Sequence, residues 1–255
     1  MSGRPITVVQ VDAPGFFGKV PDVGDFVSRR LPQDFIKPWD LWLQNAISRS
    51  REQLGPEWLE IYLTSPIWRF ALSAGVAGSD VWAGVLMPSV DRVGRYFPFT
   101  VACRLSKSVN LFALTRADQN WFESAEALAL SALDDDTPTL DMLDAGAIAL
   151  GPPLPGNGAS PVPISGPGVG WWFPSQSDLG YADALDRFLP KLAELQFDAC
   201  SIWWSTGSHS VGTGIALCKG LPDAQGYAAM LAGSWQSYGW EDLSADLPGA
   251  VENEP

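Results

Sequence analysis

The sequence predicts an α/β fold in which a central sheet is covered by helices on both faces. Three short apolar runs, IWRFALS (67–73), VWAGVLMPS (81–89) and YFPFTVACRL (96–105), are separated by glycine-rich turns and read as strands. Two of the three are apolar on both sides, the pattern of a sheet with no solvent-facing surface. Amphipathic helical stretches stand before and after them, able to supply the two covers.

In chain order, residues 5–11 (PITVVQV) are β-rich and short, and GFFGKVPDVGDF (15–26) follows as a turn-rich loop. From Phe35, apolar residues recur at Trp39, Trp42, Leu43, Ala46 and Ile47, one helical face whose pattern stops near Gly55-Pro56. Trp39 and Trp42 are assigned to the core by that face. After the three strands, residues 117–134 place Trp121, Ala125 and Leu128 on one helical side. Three aspartates (134–136) break that helix, and Thr137-Pro138 restarts a short one, with threonine as N-cap and proline at the first helical position. Residues 151–170 are mostly glycine, proline and small residues and read as a connector. It separates a first part, 1–150, from a smaller α/β part, 171–255, which can pack into the same fold. That part holds a helix at 181–195 interrupted by Pro190, a strand at 200–205, a connection TGSHS (206–210), a strand at 211–220 and a last helix at 224–236.

Charge narrows the functional classes. The chain of 255 residues has net charge −13, with 12 Lys+Arg against 10 Asp+Glu in residues 1–107 and 4 against 19 in residues 108–255. Non-specific binding to nucleic acid, which depends on cations displacing counterions, is disfavoured, as is an anionic membrane surface. Three widely spaced cysteines, Cys103, Cys200 and Cys218, suggest neither a disulfide framework nor a zinc site and read as reduced, buried thiols of a cytoplasmic protein. No apolar stretch suits a secretion signal or a membrane span.

Chemical motifs fail on spacing. A phosphate-binding loop ending at Gly18-Lys19 would need glycine where Ala13 stands and a hydroxyl where Val20 stands. The only histidine, His209, sits in the 206–210 connection, no GxSxG elbow occurs, and His209 reads as a solvated turn residue. The aspartate run lacks the glycine and distal glutamate of a calcium loop, and Trp171 and Leu217 replace the last glycine of dinucleotide-binding loops. No cofactor or metal is expected.

Two punctuated segments remain: GFFGKVPDVGDFVSRRLP (15–32) and GVLMPSVDRVGRYFPFTVACRL (84–105). Together they resemble the TagF family of type VI secretion system-associated proteins, closely from about Gly15 to Leu105 and more weakly at SIWWS and GLPDAQGYAAML. The resemblance implies a central, largely antiparallel sheet flanked by helices, similar to longin-like or profilin-like sandwiches. It implies a non-enzymatic, cytoplasmic repressor of type VI secretion that acts after translation by engaging the forkhead-associated scaffold protein Fha. Motif positions carried over are Gly18, Lys19, Gly24 and Asp25 in the first segment and Pro88, Ser89, Asp91, Gly94, Arg95 and Pro98 in the second, with Arg92 added as a charged neighbour. Physically, Gly18 and Gly24 are expected to take positive φ, Pro21 to fix a bend, and Arg92 and Arg95 to reach Asp22 or Asp25, stiffening the loops or contacting a partner. Two other readings stay open: a hydrolase or small-molecule-binding protein with a cleft between the two halves, and an adaptor acting through the acidic C-terminal half.

Overall fold

The computed structural model describes residues 13–21, 23–116, 119–133, 139–154 and 180–243. The expected strand at 5–11, most of the 151–170 connector and the acidic C-terminal tail lie outside these residues. In chain order the elements are β1 (Gly15–Gly18), β2 (Val27–Arg29), α1 (Gln33–Leu54), α2 (Trp58–Thr64), β3 (Trp68–Leu72), β4 (Val81–Met87), β5 (Phe99–Leu105), α3 (Leu111–Leu114), α4 (Gln119–Ser131), α5 (Leu140–Leu150), α6 (Gly180–Phe197), β6 (Cys200–Ser205), β7 (Gly214–Lys219) and α7 (Tyr227–Ala232). One open seven-stranded sheet runs β2-β1-β5-β4-β3-β6-β7, and every neighbouring pair is antiparallel. The α/β class and the two-sided cover read from the sequence are both present.

Alternation along the strands sorts side chains into two cores. One face receives Trp68, Phe70, Leu72, Trp82, Leu86 and Trp203, covered by Phe35, Trp39, Leu43, Trp58 and Tyr62 of α1 and α2 and by Tyr227 and Met230 of α7. The other receives Ala71, Val81, Ala83, Val85, Val101, Cys103 and Ile202, covered by Leu111, Trp121, Phe122, Ala125, Leu143 and Ala193 of α3 to α6. The first core is aromatic, and most of its indoles find acceptors: Trp39 Nε1 donates to Thr100 Oγ1 (3.0 Å), Trp42 Nε1 to the Pro222 carbonyl (2.6 Å) and Trp68 Nε1 to the Met230 carbonyl (3.0 Å). These bonds tie α1 and α7 to the sheet as well as burying them.

Arg69, the second residue of β3, points into the other core. It is 4% exposed, and its Nε and Nη2 donate to Glu126 of α4 at 2.6 and 2.9 Å while Nη1 donates to Gln119 Oε1 at 2.7 Å. A two-pronged guanidinium–carboxylate pair is the geometry that offsets the desolvation of both charges. Nothing in the sequence distinguished this arginine from a surface one.

Several elements differ from the sequence reading. The 15–26 stretch is not one loop: Gly15–Gly18 is an interior strand, paired on one side with β2 and on the other with β5. Its two phenylalanines defeat a periodicity count because Phe16 and Phe17 go to opposite cores. The short elements β2, α2 and α3 were not anticipated, and α5 begins at Leu140 with Thr139, rather than Thr137, as N-cap. The last helix is shorter than expected because Gly233 (φ 76°) and Ser234 (φ 54°) end it, and a 3₁₀ turn, Trp235–Tyr238, follows.

The Arg69–Glu126 pair yields a stability prediction. Arg69→Ala is expected to lower unfolding free energy by about 3 kcal/mol, since Glu126 is left under the core surface without its partner. Arg69→Met combined with Glu126→Leu is expected to recover more than half of that loss. Chemical denaturation of the two variants checks both statements.

Candidate functional site

The two motif segments meet at one end of the sheet. Gly18 ends β1 at φ 140°, and a Cβ there would lie 2.2 Å from the Pro98 carbonyl oxygen and 2.8 Å from Phe99 Cα. Only glycine lets the first segment approach β5 this closely. The chain then turns at Val20-Pro21, where the Val23 N–H donates to the Val20 carbonyl (3.2 Å) with proline at the second position of the turn. Gly24, expected at positive φ, is not among the positive-φ glycines, and its carbonyl serves instead as an acceptor for Arg95 Nη2.

Lys19 is gripped at both ends. Ser89 Oγ donates to its carbonyl at 2.7 Å, and its Nζ donates to Asp91 Oδ2 at 2.6 Å. Its ammonium also lies 5.1 Å from the centroid of the Phe26 ring. Ser89 is itself held by Tyr62: the phenol donates to the Ser89 carbonyl and accepts from the Ser89 N–H, each at 3.0 Å. The second loop is thereby pinned to α2 and to the first loop at one residue.

Asp91 is the centre of the block. Its side chain is fully buried, Oδ1 accepts the backbone N–H groups of Val93 (3.0 Å) and Arg95 (2.8 Å), and Oδ2 accepts Lys19 Nζ and Arg95 Nε, both at 2.6 Å. Burial alone would raise the carboxyl pKa; hydrogen bonds from Lys19, from the Arg95 backbone and side chain and from Val93 overcome it and hold the group well below the usual carboxylate range. The loop closes on itself as a tight antiparallel bridge between Val90 and Tyr96, with Gly94 at φ 80° in the turn.

The structure thus joins Lys19, Ser89, Asp91 and Arg95 directly, with Gly18, Gly24 and Pro98 contributing backbone. Pro88 leads from β4 into Ser89, half-buried. Arg92, Val93 and Gly94 form the exposed tip, with Val93 64% exposed. Arg95 does not reach for Asp25 as expected: it turns to Asp91 four residues away in its own loop and to the Gly24 carbonyl, because the buried carboxylate needs a second cation more than an exposed one does. Asp25 accepts from the Phe26 N–H at 2.8 Å, and Asp22 lies outside the described residues. Beneath the charges, Phe26 is stacked on Phe17 (5.6 Å between centroids) and edge-on to Phe97 (4.8 Å), leaving Phe26 43% exposed beside the tip.

Other chemistry is thin among the described residues. His209 is exposed in the β6–β7 connection, and the neighbouring Ser208 is tied into that turn by its N–H to the Val211 carbonyl (2.7 Å). A groove of about 370 Å³ lies where α3 and α6 meet the ends of β3 and β4; Lys107, Asn110, Lys191, Glu194 and Cys200 are among its walls, and His209 is not. Burial pushes the Cys103 thiol up to about 12 and the Cys218 thiol up to about 11, and raises that of Cys200, so none is a thiolate at neutral pH. No group of three or more metal-ligating side chains is assembled among the described residues, and none of their helices is long and apolar enough to cross a membrane.

Because the pKa of Asp91 is lower folded than unfolded, its contribution is fully present above the unfolded value, near 3.8, and is lost as pH falls toward the folded one. Wild-type stability is expected to drop between about pH 5 and pH 2 more steeply than that of Asp91→Asn. The variant should also lose about 3 kcal/mol at neutral pH, since Lys19 is left buried without its counter-charge. Gly18→Ala should cost at least about 2 kcal/mol through the clash with Pro98. Urea titrations at several pH values measure all three.

A search of curated proteins finds no match. The chain resembles a solved structure, the crystal structure of PA0076 from Pseudomonas aeruginosa PAO1, at 38% sequence identity and a TM-score of 0.72, covering 87% of this chain and 94% of that one. The family model described as the TagF N-terminal domain, type VI secretion system-associated, matches residues 15–147, a span that begins at β1 and contains both motif segments. On this match and this likeness, the chain belongs to the TagF family of type VI secretion system-associated proteins.

Proposed function

We propose that this protein is a non-enzymatic, cytoplasmic repressor of a type VI secretion system, acting by binding and sequestering the forkhead-associated scaffold protein Fha. Membership of the family supports the link to the secretion system. The observation that carries the docking role is the loop block itself: a rigid, ion-paired base that presents Arg92, Val93 and Arg95 with the half-exposed ring of Phe26 beside them. Charged tips on a preorganised apolar base lose little conformational freedom on association, which favours affinity for a protein surface. Sequestration needs no bond to be made or broken: occupancy of one interface lowers the concentration of free scaffold.

The two arginines divide the work. Arg95 is committed to Asp91 and the Gly24 carbonyl, so reversing its charge disturbs the fold as well as the surface. Arg92 is exposed at the tip and is the cleaner probe. Arg92→Glu is expected to weaken retention of Fha in a pull-down with purified proteins at least tenfold while leaving the melting temperature unchanged. Wild-type protein that retains no Fha at low or moderate salt, with both partners folded, refutes the proposal.

A further inference from the structure

We infer that the open edge of the sheet at β7 is a self-association surface, on which a second copy of this chain docks by antiparallel pairing of the two β7 strands. The two edges of the sheet are finished differently. At one, β2 is three residues long and turns Ser28 and Arg29 to solvent, the short, charged form by which sheets discourage further pairing. At the other, β7 is six residues long, contains no proline and is charged only at its last residue, Lys219. No strand lies beyond it among the described residues. One side of its backbone therefore offers a row of N–H and C=O groups to a further strand.

Side chains add an apolar face to that edge. Ile215 and Leu217 stand opposite Trp204 and Ile202 of β6 and so share their face, the one covered by α3 to α6. Trp204 and Ile202 are buried under that cover, whereas Ile215 is 64% exposed and Leu217 37%. Pro190, Lys191 and Glu194 of α6 line the groove shared with α3, and Ala193 and Phe197 pack on the sheet. At about 100° per residue, Leu192 then lies on the flank of α6 away from α3. Because α3 packs on β3 and α6 on β6, that flank looks toward β7. Leu192 and Leu195 are both exposed. Four large aliphatic side chains thus gather at one unpaired strand, a concentration of exposed apolar surface that marks an interaction site.

The occupant must bring an unpaired strand of matching length and apolar pattern, and β7 itself meets that requirement. Residues directly opposite in an antiparallel pair lie on the same face, so two copies related by a two-fold axis pair odd positions with odd and even with even. An axis at Ala216 sets Ile215 against Leu217 of the second copy, twice, and Gly214 against Cys218. Lys219 then falls outside the paired strands, opposite Thr213, and no like charges meet. One surface is matched to itself, the isologous arrangement of two-fold homodimers. Five paired residues and the neighbouring leucines of α6 make a small interface, below the roughly 800 Å² per partner of a standard one, so a Kd on the order of 10 µM is expected.

Sedimentation equilibrium of the full-length chain from about 1 to about 200 µM tests this, in about 0.3 M sodium chloride to screen the repulsion between two copies of net charge −13. The mass is expected to rise from that of one chain toward that of two. Over the same range, amide hydrogen exchange of residues 214–219 is expected to slow at least fivefold while that of residues 27–29 stays constant. Ile215→Lys alters a side chain exposed in the single chain, so it is expected to raise the Kd at least tenfold and to leave the melting temperature of the dilute protein unchanged. A chain that stays monomeric to the highest concentration overturns the inference, including one that takes its extra strand from a different protein. So does a dimer in which exchange at 214–219 is unaltered, or one that Ile215→Lys does not weaken.

Discussion

A lysine and an aspartate 72 residues apart in sequence meet under the surface at 2.6 Å, and the geometry of both motif segments follows from that contact. Neither charge could be buried alone, since the loss of hydration would outweigh any packing gained. Together, and with Arg95 and two backbone N–H groups completing the carboxylate's hydrogen bonds, they become a cross-link between the end of β1 and the β4–β5 connection. The backbone must come close for the pair to form, which is why Gly18 packs against Pro98 with no room for a side chain. Ser89 and Tyr62 then carry the constraint into α2.

The sheet on which this block stands is buried from both sides by different means. The face toward α1, α2 and α7 is filled with large rings whose polar atoms are placed individually, so that Trp39, Trp42 and Trp68 act as both packing and hydrogen-bonding elements. The face toward α3 to α6 is mostly small and aliphatic, and a deep charge on it, Arg69, is neutralised by a carboxylate of α4. Small residues suit close helix packing and large ones suit a broad layer with fewer contacts between helices. Both arrangements keep the strands immobile beneath the loops they connect.

For the docking role proposed above, rigidity at the loop block lowers the cost of association. A surface made of flexible charged loops would pay for ordering them each time it met a partner. Here the ordering is done during folding by buried ion pairing, and the exposed tip inherits it.

Helical period alone located α1, because its apolar face is regular over three turns and Trp39 and Trp42 fall on it. The central strands were equally legible, since Val81–Met87 and Phe99–Leu105 are apolar on both sides and are bounded by turn residues. Glycine, proline and charge in the two segments marked where backbone would be constrained and identified the family they resemble. What the chain could not reveal was pairing over distance. Four residues of β1 carry no alternation that survives sending Phe16 one way and Phe17 the other, and Arg95 had exposed and buried aspartates to choose from. Local pattern is written into the order of residues, so helix faces and buried strands belong to the sequence. The choice of Asp91 as the shared partner of Lys19 and Arg95 belongs to the tertiary structure, because only folding decides which charge loses its water and must be compensated.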